Sequence, residues 1–117
     1  MRVDKPWGHE IRWAITDKYL GKILHINRGQ TLSRQYHEVK DESVFVLQGL
    51  LILELGQCPN GKPEHIKVLE EGESYRIEPG QIHRFAAPTD GFVKLVEVST
   101  AEIDDVVRLQ DNYGRVK

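Results

Sequence analysis

Gly29-Gln30-Thr31-Leu32-Ser33-Arg34-Gln35-Tyr36-His37-Glu38-Val39-Lys40-Asp41-Glu42 and, further along, Pro79-Gly80-Gln81-Ile82-His83 decide how this chain is read. Along a strand alternate side chains point the same way, so Gln35 and His37 share a face. Glu42 opens the next strand and reaches that face across the intervening turn. Gly80 permits a sharp bend just before His83, which arrives from a separate strand. The four side chains offer two imidazole nitrogens, one carboxylate oxygen and one amide oxygen. That donor set suits one divalent metal ion of the Zn, Mn, Fe, Co or Ni group. With four protein donors, a six-coordinate ion keeps open positions, which marks a catalytic rather than a closed structural site. Gln35 has a second reading, that of orienting a metal-bound water. His9, His25 and His65 lack such company and read as structural or exposed.

Outward from these stretches the pattern is short strands and turns. Lys22–Ile26, Leu32–Glu38, Ser43–Leu47, Leu50–Leu55, Ile66–Leu69, Ser74–Ile77, Ile82–Ala87 and Phe92–Val98 read as strands, with an earlier one over His9–Ile15. Gln48-Gly49 reads as the tight turn of a hairpin. Regular spacing without long helical periodicity predicts an all-β sandwich or barrel. Only Glu102–Leu109 is ambiguous between helix and extended chain. The apolar runs Val44–Leu47 and Leu50–Leu53 read as core or subunit interface, and Trp7 and Trp13 as packing residues.

With 117 residues, one domain is expected. Eighteen acidic residues against sixteen basic ones, a formal charge of −2, argue against a nucleic-acid surface. A small anionic substrate needs only a few well-placed cations. The one cysteine, Cys58, lies in a polar loop and has no partner for an intramolecular disulfide. The first residues lack the apolar core of a signal peptide, and no apolar run approaches the ~20 residues of a membrane helix. The expectation is a cytoplasmic protein with no nucleic-acid or membrane partner.

The spacing of Gly29, Gln35, His37, Glu42 and Gly49, followed by Gly72, Pro79-Gly80 and His83, matches the two cupin motifs. Gln-x-His in place of His-x-His resembles the phosphomannose isomerases. Lys5-Pro6-Trp7-Gly8, Leu32 to His37, His83-Arg84, Glu97-Val98, Asp104 to Arg108 and Tyr113-Gly114-Arg115 resemble the isomerase domain that ends bifunctional mannose 6-phosphate isomerase/mannose-1-phosphate guanylyltransferase enzymes. The resemblance runs from Pro6 to Arg115. It departs from the usual pattern at Glu38, Val39, Lys40 and Ser43, where the family carries further histidines and an Arg, and at Ala87.

This resemblance implies a single cupin domain over 1–117, a double-stranded β-helix or jelly-roll barrel with its core at about 19–99. An N-terminal strand and a C-terminal tail pack on that barrel. It implies Gln35, His37, Glu42 and His83 as ligands of one divalent metal. The implied reaction is aldose–ketose isomerisation of a sugar phosphate, foremost mannose 6-phosphate with fructose 6-phosphate. Lys22 shares a face with Leu24 and Ile26, where a lysine is costly unless it meets an anion or substrate; it is a candidate catalytic residue with Arg84 and Arg108. Lys40, Arg84 and Arg108 are candidates to grip the phosphate. Small cupins of this kind commonly pair, which implies a homodimer. Two other functions fit the same residues. His37, Glu42 and His83 form a two-His, one-carboxylate set able to hold Fe(II) for an oxygenase, and a non-catalytic sugar-binding module would keep the pocket without the chemistry.

Overall fold

The computed structural model describes residues 1–115 and contains, among them, eleven strands and no helix. The strands are β1 (Arg2–Lys5), β2 (Gly8–Ile15), β3 (Tyr19–Ile26), β4 (Arg34–Tyr36), β5 (Glu42–Gln48), β6 (Leu51–Leu55), β7 (His65–Leu69), β8 (Ser74–Ile77), β9 (His83–Ala86), β10 (Val93–Thr100) and β11 (Val107–Gln110). They form two antiparallel sheets. One has six strands in the order β1-β2-β3-β10-β5-β8, the other five in the order β11-β4-β9-β6-β7. Non-sequential neighbours in both sheets give the jelly-roll crossing expected from the sequence.

Alternation along each strand sets which face is buried. Leu24 and Ile26 of β3, Val44 and Val46 of β5, and Val93 and Leu95 of β10 meet Leu51, Leu53 and Phe85 of the other sheet in one apolar core. Each such side chain contributes about 1.5–3 kcal/mol on burial. Further along the same inward rows the chemistry changes. Lys22 lies two residues before Leu24, Glu42 two before Val44, His83 two before Phe85, and Glu97 two after Leu95. Register aligns the change, since Leu95 pairs with Leu24 and Glu97 with Lys22. One end of the barrel is therefore hydrocarbon, and the other is lined with buried polar groups.

Three details differ from the sequence reading. Gln48-Gly49 is a tight turn, but not of a hairpin: β5 pairs with β10 and β8, whereas β6 pairs with β7 and β9, so the turn carries the chain between sheets. Gly49 has φ +89°, and a Cβ there would lie 2.5 Å from the Phe92 carbonyl oxygen. The strand expected over Leu32–Glu38 shortens to Arg34–Tyr36, because the backbone N–H groups of Glu38, Val39 and Lys40 turn to the Asp105 carboxylate. The ambiguous Glu102–Leu109 stretch is turns followed by β11.

Candidate metal centre

His37 leaves β4 just as the chain bends, and its Nδ1 donates to the carbonyl of Asp105. His83 opens β9, and its Nδ1 donates to the carbonyl of Gln81 at 2.9 Å. Both rings thus have their proton assigned to the backbone and turn Nε2 inward. The two rings lie 5.2 Å apart between centroids. Glu42 Oε1 stands 2.7 Å from His37 Nε2 and 3.6 Å from His83 Nε2. The three donor atoms all lie within 4.8 Å of one another, and all three residues are buried.

Those same atoms, His37 Nε2, Glu42 Oε1 and His83 Nε2, have no properly formed hydrogen bond. A buried polar atom without a partner is costly, and three converging on one point are rare in a settled core. A divalent cation would satisfy all three at once. The donor set, two neutral imidazoles and one carboxylate, fits such an ion. Burial pushes the His83 imidazole below its ordinary value, against the pull of Glu42, and so favours the neutral form a metal requires. Burial opposes the charge on Glu42. Contacts from His37 and Glu97 and the charges of Lys40 and His83 nevertheless hold its carboxyl well below the usual range.

Gln35 lies beside this triad on β4, in register with His83. It faces the cavity with its amide oxygen accepting a hydrogen bond from Ser33 Oγ at 3.0 Å. The cavity has a volume of about 530 Å³ and extends from the metal centre to residues of β1, β2 and β3. Lys22, Lys40 and Arg108 line it. Lys22 Nζ is 3.6 Å from Glu10, and Lys40 Nζ is 3.7 Å from Glu97. Arg108 pairs across β11–β4 with Gln35, and its Nε has no partner.

Arg84 is placed elsewhere. Strand alternation sends it to the face opposite His83 and Phe85, where Nε donates to the Leu32 carbonyl at 2.8 Å and Nη2 to Asn112 at 3.0 Å. It does not line the cavity. With Arg34, which bonds Gly61, Glu54 and Gln110, it fastens the outer surface of the five-stranded sheet.

Several cavity residues are not singled out as site residues by the sequence, although Lys5, Glu97, Asp105 and Arg115 lie in the stretches that carry the family resemblance. Glu97 is buried, accepts no hydrogen bond at Oε2, and has its carboxyl raised by burial and by the Glu42 charge. Its inward row with Leu95 was the available clue, the same alternation that singles out Lys22. Asp105 takes three backbone N–H groups on its carboxylate and the His37 ring on its carbonyl. Lys5, Glu10, Arg12 and Arg115 also face the cavity, brought there by the N-terminal hairpin and the tail.

Comparison with known proteins identifies the family and the fold. The model of the family described as mannose-6-phosphate isomerase C-terminal matches residues 1–111. This chain belongs to that family. Among its relatives is the mannose-1-phosphate guanylyltransferase ManC of Salmonella typhimurium, 34% identical over 97% of this chain but only 23% of the relative. The family domain thus spans about a quarter of that protein's length. Two solved structures show the fold. A Klebsiella pneumoniae protein with a double-stranded β-helix domain aligns with a TM-score of 0.72, at 17% identity, over 87% of this chain and 85% of that one. A sugar phosphate isomerase of the cupin superfamily from Silicibacter pomeroyi aligns with a TM-score of 0.64, at 21% identity, over 79% and 58%. The fold is a cupin double-stranded β-helix.

Proposed function

We propose that this family member is a metal-dependent aldose–ketose isomerase of a sugar phosphate, with mannose 6-phosphate and fructose 6-phosphate as the leading pair. One observation carries the reading: three buried, unpartnered donor atoms converge beside a cavity lined by Lys22, Lys40 and Arg108 together with carboxylates. His37, Glu42 and His83 would hold the ion, with Gln35 as fourth ligand. When bound, a divalent ion supplies Lewis acidity toward the carbonyl and hydroxyl oxygens of an open-chain sugar. The chain's own groups do the remainder. Glu97 Oε2, buried and without a hydrogen-bond partner, would take a proton from one carbon and return it to its neighbour. Lys40 and Arg108 face the same space and would stabilise negative charge as it develops on oxygen. Lys22, tied to Glu10, orients rather than abstracts.

Purified protein loaded with Zn, Mn or Co should convert mannose 6-phosphate to fructose 6-phosphate, and chelation should abolish the conversion. No turnover of any sugar phosphate with any of these metals would overturn the reading. The triad is also a two-His, one-carboxylate set, and iron-dependent oxygen uptake would move the assignment to an oxygenase. Tight binding of a sugar phosphate without turnover would instead identify a non-catalytic module. A role in sugar-phosphate metabolism carries with it a cytoplasmic location. The outer face of the six-stranded sheet, we propose, pairs two copies into a homodimer.

A further inference from the structure

The cavity has a second charged cluster, away from the metal centre, at the end closed by the N-terminal hairpin. Lys5 of β1, Arg12 of β2 and Lys22 of β3 all face into it, and one carboxylate, Glu10, stands among them. Arg12 Nε is 2.8 Å from Glu10 Oε1, and Lys22 Nζ is 3.6 Å from Glu10 Oε2. Lys5 has no ion-pair partner among the described residues. Glu97 also stands directly across β3–β10 from Lys22, so three cations meet two carboxylates and a surplus of one positive charge remains. Arg12 and Lys22 are also direct cross-strand partners, an arrangement of like charges that destabilises a sheet. Lys22 and Glu10 are buried, so water does little to screen them. The Lys5 ammonium is correspondingly held below its ordinary value, by burial and by the Arg12, Lys22 and Arg115 charges against the pull of Glu10.

An anionic group would offset this surplus and occupy the space between opposed cations. Its place relative to the metal follows from the sheet order β2-β3-β10-β5. Lys22 on β3 and Glu42 on β5 are separated by two strand spacings, about 10 Å, and Arg12 lies one spacing farther. An anion held there is several bonds from oxygens held at His37, Glu42 and His83.

We infer that Lys5, Arg12 and Lys22 form a phosphoryl-binding subsite, which selects a sugar bearing its phosphate on the terminal carbon remote from the carbonyl. The inference rests on the reading of the cavity as a sugar-phosphate site, and it moves the phosphate grip away from Lys40, Arg84 and Arg108. Guanidinium and ammonium groups together match phosphate oxygens in geometry and charge.

Calorimetric titration of the metal-loaded full chain with mannose 6-phosphate, mannose 1-phosphate and mannose tests it. Wild type should bind the 6-phosphate at least about tenfold more tightly than either competitor. The double variant Lys5→Met/Arg12→Met should lose that preference, the charge-preserving Lys5→Arg/Arg12→Lys should keep most of it, and metal affinity should be unchanged in both. Lys5→Met alone, which removes a half-buried side chain with no ion pair, keeps the test available should the double variant fail to fold; a drop of threefold or more is expected. Equal binding of all three sugars by wild type, or a preference that survives loss of Lys5 and Arg12 but not of Arg108, would overturn the subsite. Preference without turnover would leave the subsite standing and remove the isomerase reading; turnover without preference would do the reverse.

Discussion

Glu42 is the charged member of the donor triad, and its neighbours hold it ionised in spite of burial. Replacing it by Gln keeps the size but removes the charge that a divalent ion needs. Glu42→Gln should weaken Zn or Co binding by at least about 100-fold, and His83→Ala by a similar factor, since outer partners alone commonly account for 10–100-fold. Competition with a chromophoric chelator measures both; affinities within twofold of wild type would remove the triad as the metal centre. At this scale the sequence was most readable. His37, Glu42 and His83 stood out because glycines and fixed spacings surround them, and Lys22 because a lysine shared a row with Leu24 and Ile26. Glu10 and Arg12 were opaque, and Glu97 was visible only as part of the family resemblance, with no role attached. Charged residues in strands of this length ordinarily face water, and only the register of β2, β3 and β10 shows that these face inward.

Among the elements, the N-terminal hairpin and the tail complete what the barrel begins. The hairpin approaches β3 so closely at Gly8 that a Cβ there would lie 2.0 Å from the His25 carbonyl oxygen. Gly8→Ala should cost about 1–3 kcal/mol, read from the denaturant midpoint; an unchanged midpoint would mean that β1 and β2 yield easily. The tail is tied by Asp111, whose carboxylate accepts from Arg115 Nε at 2.7 Å and from the Arg115 backbone N–H at 2.8 Å. The Arg115 guanidinium beside it, opposed by burial, lowers the Asp111 carboxyl below its ordinary 3.8. Its contribution to stability is therefore full above that value and is lost as pH falls through the depressed folded one. The stability gap between wild type and Asp111→Asn should stay constant above about pH 5 and close in stronger acid. A gap that instead widened on acidification would contradict the pairing. The tail's fold could not be read from its residues. Ile103, Val106 and Val107 suit a helix or a strand equally, and the choice is made by Asp105 capturing the backbone of 38–40 and by β11 pairing with β4.

For the molecule as a whole, the fold class was legible because strand spacing and turn glycines recur through the chain, whereas the sheet change at Gly49 was not. A tight turn between two apolar runs looks the same whether it joins partners or crosses between sheets. The outer face of the six-stranded sheet shows what the core leaves uncovered. Ile11, Ile23, Val96 and Phe45 form one cross-strand row, flanked by Trp13 and Val98. Phe45 is 41%, Val98 48% and Trp13 53% exposed. A continuous apolar face of this kind marks an interaction surface, and a stable pair needs about 800 Å² from each partner. Sedimentation should give twice the 13.5 kDa chain mass, and Phe45→Lys/Val98→Lys should return it to one chain with metal affinity intact. A wild-type monomer at micromolar concentration would end the homodimer reading.

The two tryptophans occupy opposite environments. Trp7 is 4% exposed and borders the cavity, whereas Trp13 lies flat over Gly21 on the outside of the barrel. The chain consequently carries two native fluorophores that report separate events. Blue-shifted emission from the first should respond to whatever fills the interior, while iodide quenching of the second should fall only when another protein surface covers it.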